Sequence, residues 1–194
     1  MKKKILISCL LMLFIVGVVF GVASAETDLR EVSWGMNQDE VIDVEGTPEE
    51  STDNELVYDI EISGVDLFLA YEFIDDTLVK AHFVNNENYM DDRHYYDDYK
   101  TLNDSLKQIY GNPDEEIENW DTDMFESMYS EKMGFQIGVV EFVTTWEKER
   151  IKIAHILTKE DILDSTHGFM YESLVPEHQD LIESAEQEEL EEQL

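Results

Sequence analysis

The side chains in this sequence best suited to acid–base or metal chemistry are its five histidines, His82, His94, His155, His167 and His178, and two of them stand out. His82 sits in Ala81-His82-Phe83 and His155 in Ala154-His155-Ile156. If these segments are equivalent strands of two related units, both imidazoles project from the face opposite their apolar neighbours. With a carboxylate from Glu72 or Glu141 they would form a ligand set for a divalent metal, as in a metal-dependent hydrolase. The plainer reading makes them ordinary strand residues. No G-x-S-x-G, H-E-x-x-H, glycine-rich phosphate loop or dinucleotide fingerprint occurs, so no catalytic residue, metal site or cofactor is assigned. Asp121-Thr122-Asp123 with Glu126 has the acid density of a calcium loop but lacks its glycine and its fixed spacing.

Charge narrows the partners. The chain has 46 acidic against 13 basic residues, a formal net charge of −33. Such a surface repels nucleic acid and favours cations and basic partners, so a nucleic-acid partner is excluded and an acidic cation-binding protein stands as an alternative. Residues 1–25 read as an export leader: Lys2, Lys3 and Lys4, the apolar run Ile5 to Phe20, then Ala23-Ser24-Ala25. The rest is expected to be secreted or at the cell surface, with a membrane association only if the leader is retained. Cys9, the sole cysteine, leaves with that leader, which rules out disulfides and thiolate chemistry in the remainder.

The elements that would position these groups come in two sets. Asn37 and Glu40 form a capping box, Met36 and Val41 a hydrophobic staple, and Gly46 with Pro48 ends the helix. Alternation then predicts strands over Glu55–Ile62, Asp66–Phe73 and Leu78–Val84, with turns at Ser63-Gly64 and Asp75-Asp76. In the second set Tyr95, Tyr99, Leu102, Leu106 and Ile109 mark a long helix ended by Gly111 and Pro113. Phe142, Thr144 and Trp146 align on Leu69, Tyr71 and Phe73, and Ala154-His155-Ile156 aligns on Ala81-His82-Phe83. An insertion is expected between Pro113 and Phe142, and a further strand over 167–175. The expected fold is α+β, a tandem duplication of a helix plus an antiparallel meander, over residues 26–88 and 89–175, with the helices packed on one sheet face. Residues 176–194 form an acidic tail, read either as an amphipathic helix or as a solvated, disordered segment.

Leu67, Leu69, Tyr71 and Phe73, with Val140, Phe142 and Trp146, are expected to face the helices. The opposite face would then carry Phe68, Glu72, Lys80 and His82, joined by Glu141, Val143, Ile151, Ile153 and His155. An antiparallel sheet covered on one side leaves the other open, and this mixture of aliphatic, aromatic and charged groups suits recognition of a protein partner. The C-terminal tail or a second copy would be the alternative cover.

Two helix-plus-sheet units, each helix ending at G-x-P, resemble the β-lactamase inhibitor protein family and the related BamE-like (SmpA/OmlA) envelope lipoproteins. Trp34 to Val41 (W-G-M-N-Q-D-E-V) looks like the opening of such a unit. Tyr95 to Tyr99, Tyr110 to Pro113 and Thr144 to Glu147 are similar to stretches of uncharacterised exported proteins of Gram-positive bacteria. The inhibitor family's disulfides and the lipoproteins' lipobox have no counterpart here. The resemblance therefore implies the fold and a binding or inhibitor-like role, exercised through the open sheet face, on a partner it does not identify.

Overall fold

In a computed structural model of the chain, residues 28–161 and 164–192 are described; the leader expected over residues 1–25 lies outside them. The fold is α+β, with all eight strands in one antiparallel sheet. A helix, α1 (Gln38–Glu45), precedes β1 (Glu50–Ser51), β2 (Glu55–Ile62), β3 (Val65–Ile74) and β4 (Thr77–Asn85). Then α2 (Arg93–Tyr110) precedes β5 (Glu115–Trp120), α3 (Asp123–Met128), α4 (Glu131–Gln136), β6 (Val140–Glu147), β7 (Ile151–Asp161) and β8 (Asp164–Ser173), and α5 (Pro176–Glu192) follows. Strand order is β1-β2-β3-β4-β8-β7-β6-β5. The helices α1 and α2 are thus each followed by an edge strand, each meander runs inward, and β4 and β8 form the seam.

Local chemistry explains the boundaries. Both halves of the Asn37/Glu40 capping box form, and Gly46 (φ 93°) ends α1 in a conformation that glycine adopts at low cost. Ser63-Gly64 and Asp75-Asp76 have positive φ at both positions, the two-residue turns that match strand twist. The helix α2 buries Tyr95, Tyr99, Leu102 and Leu106, whereas Ile109, expected on that stripe, is 70% exposed. Asp92 at its N-cap makes no capping bond; Asp91 instead grips Arg93, and Asp97 takes the Lys132 ammonium. The insertion is α3 with α4, whose Phe135 joins Tyr95, Tyr99, Val140, Phe142 and Leu157 in a second apolar cluster.

Three expectations change. Each meander has four strands rather than three, because Gly-x-Pro turns each chain segment into a short edge strand before the longer ones. Counted from its helix, β6 occupies the place of β2, so the alignment of Phe142, Thr144 and Trp146 on β3 matches strands at different positions in the sheet. Finally, the helices do not all lie on one face. The first two, with α4, cover one side, while α5 crosses β3 and β4 on the other, where Glu186 meets Lys80 and Gln179 meets Glu172. The C-terminal segment is a helix because Ile182, 4% exposed, has a place to bury.

Candidate binding face

The sheet surface not covered by α1 and α2 is organised in cross-strand rows, because antiparallel register sets residues of neighbouring strands directly opposite one another. One row is Glu72, Lys80, Glu172, Lys152 and Glu147, with charges alternating strand by strand. The α5 helix lies over its β3–β4 end, where Lys80 Nζ is 3.8 Å from Glu172 and 3.3 Å from Glu186. The β3–β4 pair carries a bulge beside Glu72 and Phe73, and its extra residue, Val79, is fully buried on this side of the molecule, outside the main core cluster. The next row is Ala70, His82, Met170, Ala154 and Thr145.

Beyond it runs an apolar row: Phe68, Val84, Gly168, Ile156, Val143 and Ile117, in register across six strands. Phe68 (40%), Val84 (45%), Ile156 (38%) and Ile117 (46%) are all exposed. Gly168 and Ala154 leave a depression of about 320 Å³ between Val84, Ile156 and Met170. Glycine is needed at 168 for a second reason: a Cβ there would come within 2.3 Å of the Phe83 carbonyl oxygen across the seam.

Six of the nine residues expected on this face are there: Phe68, Glu72, Lys80, His82, Glu141 and Val143. Ile151, Ile153 and His155 are not; they are buried at 7%, 0% and 0% on the helix side. The cause is a net slip of one residue between the two hairpins. Four residues separate Phe73 from its partner Leu78 and six separate Trp146 from Ile153, a difference of two, and the Val79 bulge takes back one. A one-residue slip turns every side chain of a strand to the other face. Ala154 and Ile156, expected in the core, therefore lie beside His82, and His155 points away from it. The buried alternation of His167, Phe169 and Tyr171 around Gly168 and Met170 is the sequence signal that would have found β8's share of the face.

Since His82 and His155 project from opposite faces, they cannot share one metal ion. Among the described residues no group of three His, Cys, Asp or Glu side chains forms a metal-binding set. His82 Nε2 instead lies 2.8 Å from Glu72 Oε2. That hydrogen bond, with Lys80 nearby, holds the Glu72 carboxyl below the usual range against the opposing effect of burial. Thr122 caps α3 through Phe125 N–H, and Asp123 and Glu126 lie in its first turn, where carboxylates favour the helix dipole.

On the helix side His155 belongs to a buried polar chain. Its ring stacks on Tyr99 at 4.3 Å, and its Nε2 is 3.1 Å from His167 Nε2. Asn103 Oδ1 faces His155 Nδ1 at 3.4 Å, and Asn85 Nδ2 faces His167 Nδ1 at 3.5 Å while donating to Asp98. The carbonyl of Asn103 can only accept and the amide of Asn85 can only donate. The proton positions follow: His155 carries its hydrogen on Nδ1, and His167 donates from Nε2 to His155. Burial pushes both imidazoles toward the neutral form, His167 down to about 3, and His155 further lowered by its neighbour. Tyr99 is pushed up to about 12 by burial and bonds the Thr144 hydroxyl at 2.8 Å. Tyr99, Asn103, Thr144, His155 and His167 are buried and bonded to one another, and Asn85 and Asp98 continue the chain toward the half-buried edge.

A second concavity of about 320 Å³ lies on the helix side between α2 and the Leu29–Arg30 turn, floored by Phe83, Phe169 and Tyr171. No family model matches the chain, and neither the comparison with curated proteins nor that with solved structures finds a match.

Proposed function

We propose that this chain is an exported, non-enzymatic protein-binding or inhibitor-like module that engages its partner through the sheet face left uncovered by α5. The observation that carries this reading is the register of Phe68, Val84, Ile156 and Ile117: four exposed apolar side chains in one row, bordered by Asp66, Thr158, Thr166 and Glu141 on one side and, beyond the row of Ala70, His82, Met170, Ala154 and Thr145, by a charged row on the other. Scattered apolar exposure is ordinary, but a contiguous apolar band with a polar rim is the composition of an interaction surface. Export is supported by the basic, apolar and Ala-x-Ala succession of residues 2–25. The repeated order of helix, Gly-x-Pro and four-stranded meander supports the reading of two copies of one unit, and with it the resemblance to the inhibitor-like fold.

The test is affinity capture from surface and culture fractions of the producing cells, with Ile156→Asp as the control. Retention of one protein by the parent and not by Ile156→Asp, with the variant still folded, is the expected result. Equal retention by both would overturn the reading of this face.

A further inference from the structure

The apolar row runs across the strands rather than along them, and that direction constrains what lies on it. Phe68 on β3 and Ile117 on β5 are separated by five strand spacings, about 24 Å at the usual ~4.8 Å per strand. An extended peptide added to the sheet would run parallel to the strands and at an edge. Both edges are poor templates: β1 has two residues, and β5 presents glutamates at three of its six positions. A helix laid across the strands fits the band instead, and roughly 16 residues span it at ~1.5 Å per residue. The depression over Gly168 and Ala154 accepts one of its apolar side chains.

Charge decides the kind of helix. At the β2 end of the band the register sets Asp59 opposite Phe68, on the side away from α5 it sets Asp66 opposite Glu61, and Glu141 lies near the far end. Asp59 takes a hydrogen bond from Asn86, and Glu141 one from Thr158. Among the described residues none of these four carboxylates has a lysine or arginine partner, whereas the row under α5 pairs Lys80 with two glutamates. The band therefore has an anionic rim without a basic partner on one side, whereas on the other the charged row mixes three glutamates with two lysines. Two copies meeting face to face would bring these carboxylates together, on chains that each carry a formal charge of −33.

We infer that the partner presents a cationic amphipathic helix, its apolar stripe on Phe68, Val84 and Ile156 and its basic flank on Asp59, Glu61, Asp66 and Glu141. This rests on the band being a protein-binding face, and the test separates the two claims. Fluorescein-labelled 16-residue helices are titrated with the protein by anisotropy. One has leucines at i, i+3, i+4 and i+7 on a lysine background, one the same composition scrambled, and one a glutamate background. The variants are Ile156→Asp, Val84→Glu and the double variant Asp66→Lys, Glu141→Lys, each with circular dichroism and a urea midpoint matching the parent.

The expected result is binding of the Leu/Lys helix alone, weakened about tenfold or more by either band variant and roughly fivefold by rim reversal. Equal binding of the scrambled peptide, or indifference to both band variants, overturns the proposal. Binding of the Leu/Glu helix in preference, still abolished by Ile156→Asp, removes the cationic partner and leaves the binding face standing. Ile156-dependent dimerisation in sedimentation, with no peptide bound, would assign the band to a second copy. No binding of any helix, together with capture that ignores Ile156→Asp, removes both claims.

Discussion

His155 Nε2 lies 3.1 Å from His167 Nε2, diagonally across β7 and β8, with both rings buried beneath α2. One nitrogen must donate and the other accept, so the contact is lost once both rings are protonated, and a proton on His167 Nδ1 already sets two donors, that ring and the Asn85 amide, against each other. Burial holds both rings neutral in the folded protein.

The consequence is acid sensitivity with a defined sign. Both folded-state values are depressed below the ordinary histidine value near 6.5, so below that pH the unfolded chain binds protons the folded chain refuses. Stability is fully present above about pH 6.5 and falls as pH drops, by at most roughly 1.4 kcal/mol per pH unit for each histidine. Urea midpoints between pH 7.5 and 5 should decline in the parent and decline less in His167→Gln. An unchanged slope in that variant would show that the pair does not titrate as described.

The seam should tolerate nothing larger than glycine at 168. Gly168→Ala places a Cβ against the Phe83 carbonyl, an atom of backbone that cannot rotate aside. The expected loss is about 1–3 kcal/mol, the usual range for overpacking, read from urea denaturation.

Docking of α5 is testable at Ile182. If this residue is buried as described, Ile182→Ala lowers stability by about 2 kcal/mol or more. In a solvated tail the same change would be silent.

The face assignment of β7 makes a paired prediction. Ile153→Asp buries a carboxylate in the core and should cost several kcal/mol or abolish folding. Ile156→Asp, three residues on and 38% exposed, should stay within about 1 kcal/mol of the parent. Thermal melts followed by circular dichroism distinguish the two, and the reverse order would mean that the strand is inverted.

Much of this architecture is legible in the sequence because it is set by short-range chemistry. Asn37 with Glu40, Gly46, Gly111, Ser63-Gly64 and Asp75-Asp76 act within a few residues of themselves, and the α+β class follows from the spacing between them. The face of the first meander is legible too, since Leu67 to Phe73 alternates without interruption. What sequence spacing does not carry is register between strands distant along the chain. The Val79 bulge and the longer β6–β7 turn act together to invert β7, and neither leaves a mark in an alternation pattern read one strand at a time. The expectation of His155 on the open face fails for that reason, and the apolar row through Val84, Gly168 and Ile156 is visible only once β4 is paired with β8. The cover supplied by α5 depends on a single buried Ile182 in an otherwise acidic segment, too sparse a stripe to decide between a docked helix and a solvated tail.

The central claim is that the uncovered band is where a partner binds. Hydrogen exchange of the protein alone and with the captured partner, read by mass spectrometry, tests it most directly. The account predicts new protection in peptides covering Phe68, Val84 and Ile156, with none over α1 or the exposed side of α2, and loss of that protection in Ile156→Asp. Protection confined to the helix side, or preserved in that variant, would contradict it.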